Sequence, residues 1–364
     1  MGNNFNDQDL EPVELTEKAP TPVKDDPYDD YEDEYGAWDS NEDNSKAKFF
    51  HITLISIMGI VVIAIIVLLA RWQRGEDFVI SEGDLTENYD VESEDFHVDF
   101  DPSTIDGYVD DGENNIVILG DASIYNCQDD TGIAALVADA TGANVTALSL
   151  PETTIALQED SYTQEYAQDA FNLYYIISSI CGGDMGSYDL MYDSLSYIED
   201  NSVYYSYWDS IHKIDFNKVD TLIIEYGLGD YLAKRPLIGA EVYSDQLYGL
   251  ESSVAGSLND CIVMLKERFP YMRILIVCPS FCLTKDDNGN TIGSDLYNNG
   301  QGTLGDYIVN MKYIAQQNNV AFVDNYFGIA FNASTYDGYL TPDGQYPNAL
   351  GRQEIANHIV SFLP

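Results

Sequence analysis

Nineteen consecutive residues without a charge, Ile52 to Ala70 (ITLISIMGIVVIAIIVLLA), constrain this chain more than any other feature. As a helix rising 1.5 Å per residue, the run covers roughly 30 Å, the thickness of a bilayer's hydrocarbon core. Ile and Val fall on every side of it, so it has no polar stripe to turn toward water. The pattern predicts a single transmembrane helix over 49–70, with Phe49 and Phe50 extending the apolar stretch and Trp72 as an interfacial anchor. The run begins too far from Met1 for a signal peptide, and no small-residue cleavage pattern follows it, so the anchor is expected to persist. Lys46 and Lys48 on one flank balance Arg71 and Arg74 on the other. Lys18 and Lys24 tip the count toward a cytoplasmic N-terminus, with the C-terminal domain extracellular.

The span divides the chain into a tail (1–48), a connecting segment (71–114) and a C-terminal domain (115–364). Acidic residues outnumber basic ones by 62 to 16, a formal net charge of -46, which excludes nucleic acid as a partner by simple repulsion. Fifteen of the acidic residues lie in the tail and fifteen more in 75–114. The tail, with Asp25-Asp26-Pro27-Tyr28-Asp29-Asp30-Tyr31-Glu32, is too polar to bury a core and is expected to be a disordered, solvated segment. Residues 71–114 are expected to form an extended acidic stalk. All five cysteines (Cys127, Cys181, Cys261, Cys278, Cys282) fall in the C-terminal domain. Their odd number and the apolar neighbours of Cys261 and Cys278 favour buried thiols over a disulfide framework.

From Asn115 short apolar runs alternate with amphipathic stretches, the pattern of an α/β domain built on a parallel sheet. Strands are predicted at 116–119, 145–150, 221–226, 273–278 and 320–323, and helices at 131–140, 163–180, 250–268, 304–317 and 349–362. Leu250, Val254, Leu258, Cys261, Ile262 and Leu265 share one helical face. The turn-rich stretch 285–300 reads as an excursion from the sheet, with Asn288-Gly289 as its hairpin signal.

Four short blocks follow the predicted strands and loops: Gly120-Asp121-Ala122-Ser123, Ser149-Leu150-Pro151-Glu152-Thr153-Thr154, Gly227-Leu228-Gly229-Asp230 and Asp343-Gly344-Gln345-Tyr346. Ligands of doubly wound sheets sit beyond the carboxyl ends of the strands, so all four are expected on one rim. In order and spacing they resemble the SGNH (GDSL-like) hydrolase superfamily, closest to a membrane-anchored bacterial group within it. The resemblance covers 115–364 and implies a flavodoxin-like three-layer α/β/α fold with a central parallel sheet, preceded here by the transmembrane helix. In that family a serine attacks an ester carbonyl, a histidine takes its proton and an aspartate orients the histidine. The serine amide, a glycine amide and an asparagine side chain hold the oxyanion.

At those positions this chain has Ala122 for the serine, Glu152 for the glycine, Gly229 for the asparagine and Tyr346 for the histidine. Asp343 alone is retained, so no intact catalytic set is expected. The implied function is a pseudoenzyme that binds a cell-envelope glycan or a protein partner. The alternative is a cell-surface esterase or O-acetyl hydrolase using Ser123, one position past Ala122, or another nucleophile. None of the four histidines (His51, His97, His212, His358) stands in the block where the base belongs. Asp121, Glu152, Asp230, Asp343 and Tyr346 form the candidate binding set on the rim, for sugar hydroxyls or a cation such as Ca²⁺. No cofactor and no metal is otherwise expected. The tyrosine-rich runs Tyr174-Tyr175 and Tyr204-Tyr205-Ser206-Tyr207-Trp208 could stack on sugars, although most of these rings are expected to pack on the sheet.

Overall fold

The computed structural model describes residues 95–159, 161–182, 186–238 and 252–364. The apolar run 52–70 and the acidic tail lie outside the described residues. Among the described residues, no helix is long and apolar enough to cross a membrane.

Five strands form one parallel sheet: β1 (Asn115–Gly120), β2 (Asn144–Ser149), β3 (Thr221–Glu225), β4 (Arg273–Val277) and β7 (Ala321–Val323), in the order β2-β1-β3-β4-β7. These are the five strands predicted, each within a residue or two. Sheets of this kind are covered on both faces, so their strands are apolar throughout. Ile118, Leu119, Ile223, Ile224, Leu275 and Ile276 are accordingly all buried. Each such side chain contributes roughly 1.5–3 kcal/mol when taken out of water.

Helices flank the sheet in two groups: α2 (Ile133–Thr141) with α10 (Ala349–Val360), and α3 (Leu173–Cys181) with α7 (Val254–Arg268) and α8 (Leu304–Gln317). Short helices α1 (Ala122–Tyr125) and α6 (Leu228–Leu232) start directly after β1 and near the end of β3. Two more, α4 (Tyr188–Ser194) and α5 (Ser202–Ile211), precede β3, and α9 (Tyr336–Tyr339) precedes α10. The helix predicted over 163–180 is broken. A 3₁₀ segment over Gln164–Phe171 ends at Asn172, whose extended backbone and side chain, accepting from the Tyr175 amide, begin α3 afresh. The excursion after β4 is a hairpin of β5 (Leu283–Lys285) and β6 (Thr291–Gly293), with Gly289 at positive φ in its turn.

The domain begins earlier than residue 115. Phe96 pairs antiparallel with Phe322, exchanging hydrogen bonds of 3.0 and 2.9 Å, and so covers the outer edge of β7. The Asp95 carboxylate accepts from the Asp324 amide at 2.8 Å and meets His358 Nε2 at 2.9 Å. His97 stacks on Phe362, and Arg273 donates to the Phe100 carbonyl at 2.8 Å. The part of the expected stalk that is described is thus packed against the domain.

Candidate functional site

Because neighbouring strands run in register, Gly120 at the end of β1 lies between Ser149 on β2 and Glu225 on β3. The first and third blocks therefore meet. The Asp121 amide donates to the Glu225 carbonyl at 3.1 Å. The Asp121 carboxylate then accepts from the Ser123 amide at 3.1 Å and from the Gly229 amide at 3.2 Å. It caps α1 and ties α6 to it, and it is fully buried. Ala122, at the family's nucleophile position, is the first residue of α1 and is buried as well.

Asp230 does the same for the second block. Its carboxylate accepts from the amides of Ile155 at 2.8 Å and Ala156 at 3.0 Å, and it too has no exposure. The block is held from its other side by the Thr153 hydroxyl donating to the Phe171 carbonyl and by the Leu173 amide donating to the Thr154 carbonyl. Drawn in from both sides, the loop presses on the third block. A Cβ at Gly229 would run into the Thr153 carbonyl oxygen. At the position where the resemblance expects an oxyanion-binding asparagine, there is no room for any side chain. Glu152 is exposed.

The fourth block is a surface turn. Asp343 accepts from the Thr341 hydroxyl at 2.6 Å and the Gln345 amide at 3.1 Å; the first of these bonds, then the second, hold its exposed carboxyl below the usual range. An orienting aspartate would use those lone pairs on an imidazole; here they close its own turn. Tyr346 is half-buried beside Asn126, and burial pushes its phenol up against the hydrogen bond from Asn126.

Beneath the rim lies a carboxyl pair that was not anticipated. Glu225 is almost wholly buried next to Asp121, with Ser123 hydrogen-bonding to both. Burial, and then the charge of Asp121, push the Glu225 carboxyl well above its ordinary value; burial raises Asp121 against its amide donors. Burial and the repulsion between the two charges both oppose ionising the pair together. One Glu225 carboxylate oxygen, Oε2, has no hydrogen-bond partner. Asp230 is likewise pushed up to about 6 by burial, opposed by the Ala156 and Ile155 amides. The signal for Glu225 was present in the sequence, as a lone acid closing the apolar strand Thr221-Leu222-Ile223-Ile224-Glu225.

Ser123 is therefore a buried residue of the first turn of α1, hydrogen-bonded to two carboxyls, and the described imidazoles are engaged elsewhere. His358 lies between Asp95 and Asn325, His212 bonds to the Trp208 carbonyl and His97 stacks on Phe362; His51 is outside the described residues. The candidate binding set also divides. Asp121 and Asp230 are buried and spend their oxygens on backbone amides, so they cannot meet a ligand; Glu152, Asp343 and Tyr346 reach the surface. Among the described residues no group of three or more His, Cys, Asp or Glu side chains could hold a metal ion. The five cysteines are free thiols; Cys261, Cys278 and Cys282 are buried, as expected, and Cys127 and Cys181 are half-buried. Of the tyrosine runs, Tyr174, Tyr175 and Tyr207 are buried, while Tyr205 is exposed against Trp208.

The domain has an SGNH-like arrangement: a parallel sheet flanked by helices, with the first three blocks meeting beyond its carboxyl ends and the fourth beside them. Solved structures similar to it include a possible lipase from Chitinophaga pinensis, 18% identical over 68% of this chain and 97% of that one, with a TM-score of 0.42. A candidate lipolytic protein of the G-D-S-L family from Desulfitobacterium hafniense is 14% identical over 69% and 100%, also at 0.42. A candidate GDSL-like lipase from Bacteroides uniformis is 13% identical over 70% and 96%, at 0.39. Likeness at this level lends no weight to an activity, and the arrangement stands on strand order and the placement of the blocks. No protein-family model matches the chain. No curated protein matches it.

Proposed function

We propose that this chain is a membrane-anchored pseudoenzyme: an SGNH-like domain, catalytically inactive, that binds a cell-envelope glycan or a protein partner on the extracellular side. The observation that carries the reading is the closed contact between Gly229 and the Thr153 carbonyl, over a first block that offers Ala122 in place of a nucleophile. Losing one oxyanion donor costs about 10²–10³ in rate, and loss of nucleophile and base removes most of the rest. Here the space for the donor is gone as well as the donor. The uncharged run 52–70 supports the anchor, and the lysine excess before it supports a cytoplasmic N-terminus.

The test is hydrolysis of p-nitrophenyl acetate by the full-length chain, beside the double variant Ala122→Ser/Tyr346→His. Both are expected at the background rate, because the restored serine and histidine face no oxyanion site. Turnover by the wild type that disappears in Ser123→Ala would establish the esterase alternative. Protease accessibility of the domain on intact cells tests the topology, and protection there would remove the envelope ligand.

A further inference from the structure

Next to the closed rim is an open groove of about 370 Å³, at the lower end of the size range of small-molecule sites, roughly 300–1,000 Å³. One wall is the end of α1 and the loop after it, with Tyr125 and Gln128; Ser149, the last residue of β2, lies beside them. The other wall is α5, which lines the groove with Ser202, Ser206 and Ser210. Their spacing of four residues places them on one side of the helix, where the Ser202 hydroxyl donates to the Asp200 carboxylate at 3.3 Å and that of Ser210 to the Ser206 carbonyl at 2.9 Å, leaving their lone pairs to accept. Tyr207 also lines the groove; it is almost wholly buried, with its hydroxyl turned toward that of Tyr226.

Three properties narrow the occupant. The groove runs along the carboxyl-terminal half of the outer strand β2, past Ala147, Leu148 and Ser149, and comes within one helical turn of Ala122. Beside Ala147, Leu148 and Val203 its walls carry hydroxyl, amide and phenol groups, which both donate and accept hydrogen bonds. And none of its ten lining residues is charged, in a domain with thirty-two acidic and ten basic side chains. An anion would find no counter-charge there and would be repelled by the rest of the surface. An apolar ligand would cover these polar groups and take them from water without hydrogen-bonding to them. A neutral polyhydroxylated ring meets the serine row with its hydroxyls and can lay its apolar face on the Tyr125 ring.

We infer that this groove, rather than the family's rim, is the ligand site of the domain, and that it takes a neutral hexose or N-acetylhexosamine unit of a glycan. The inference rests on the glycan-binding form of the function proposed above. Saturation-transfer NMR on the full-length chain, in a detergent without a sugar headgroup, tests it with maltotetraose, chitotetraose and tetragalacturonate. Transfer to at least one neutral tetrasaccharide and none to the acidic one is expected. Ser206→Trp, which fills the groove from an exposed helix position, should weaken binding by about tenfold or more. Gln128→Glu should do the same by adding charge without bulk, which keeps the test alive if the larger substitution unfolds the protein. Glu152→Gln should bind as wild type. Transfer to neither neutral sugar overturns the assignment, as does binding that survives both groove variants or is abolished only by Tyr346→Ala. Each of those results leaves the absence of ester hydrolysis standing, so the two readings fail separately.

Discussion

The closed rim and the open groove lie within one helical turn of each other, and they use their polar groups in opposite ways. At the rim, Asp121 and Asp230 are buried and bind backbone amides of the neighbouring blocks. In the groove, Ser149, Ser206 and Gln128 surround open space and carry no charge. Residue type alone would assign the functions the other way round, since carboxylates advertise chemistry and serines on a helix do not. Burial decides between them: a carboxylate with its lone pairs filled by amides is part of the scaffold, whatever a family does with that position.

The largest effect that sharpens this contrast is expected from Asp230→Ala. It leaves the Ile155 and Ala156 amides buried without an acceptor and releases the second block from α6. A loss of roughly 3 kcal/mol in urea-unfolding free energy is expected; an unchanged midpoint would mean that the loop is held by something else. Next comes Gly229→Ala, which forces a methyl group against the Thr153 carbonyl and should cost about 1–3 kcal/mol. If it is tolerated without loss, the rim is open and an oxyanion donor could be accommodated.

A smaller effect concerns pH. The carboxyls of Asp121, Glu225 and Asp230 are raised in the folded protein, so between the unfolded carboxylate value near 4 and about 6 the native state binds more protons than the unfolded one. Their contribution to stability is therefore complete below pH ~4 and is lost as pH rises through the folded values. Thermal unfolding should show a midpoint several degrees higher at about pH 5 than at about pH 7.5. Glu225→Gln removes one member of the pair and should flatten that slope; a slope equal to wild type would show that the Glu225 carboxyl is not raised. Smallest of all is Asp343→Ala. Its exposed turn should be replaceable with no measurable change in melting, whereas an orienting aspartate would leave a pronounced defect.

The five strands were legible because a parallel sheet buried on both faces demands unbroken apolar runs, and runs such as Ile116-Val117-Ile118-Leu119 have few other uses. The helix break at Asn172 was not, since Ala170-Phe171-Asn172-Leu173 carries no Gly or Pro to mark it and the capping role depends on where the second block lies. Helix α5, with three serines and three tyrosines in ten residues, lacks the apolar repeat that announces a helix. In the segment before residue 115 the alternation Phe96-His97-Val98-Asp99-Phe100 was a strand signal, and the half-buried Phe96, Val98 and Phe100 obey it. The surrounding acid concealed it. At the site, the four blocks correctly located one region of the sheet, but side-chain burial is a property of the packed loop. For that reason the sequence alone presents Asp121 and Asp230 as ligand-facing groups and gives no sign that Glu225 lies beside Asp121.

The most direct measurement is labelling of the full-length chain with a fluorophosphonate, which reacts with any serine whose hydroxyl is activated for acyl transfer, followed by intact-mass and peptide analysis. The account predicts an unmodified protein, with Ser123 hydrogen-bonded to two carboxyls and out of reach. A stoichiometric adduct on Ser123, or on any other serine of the domain, would contradict it.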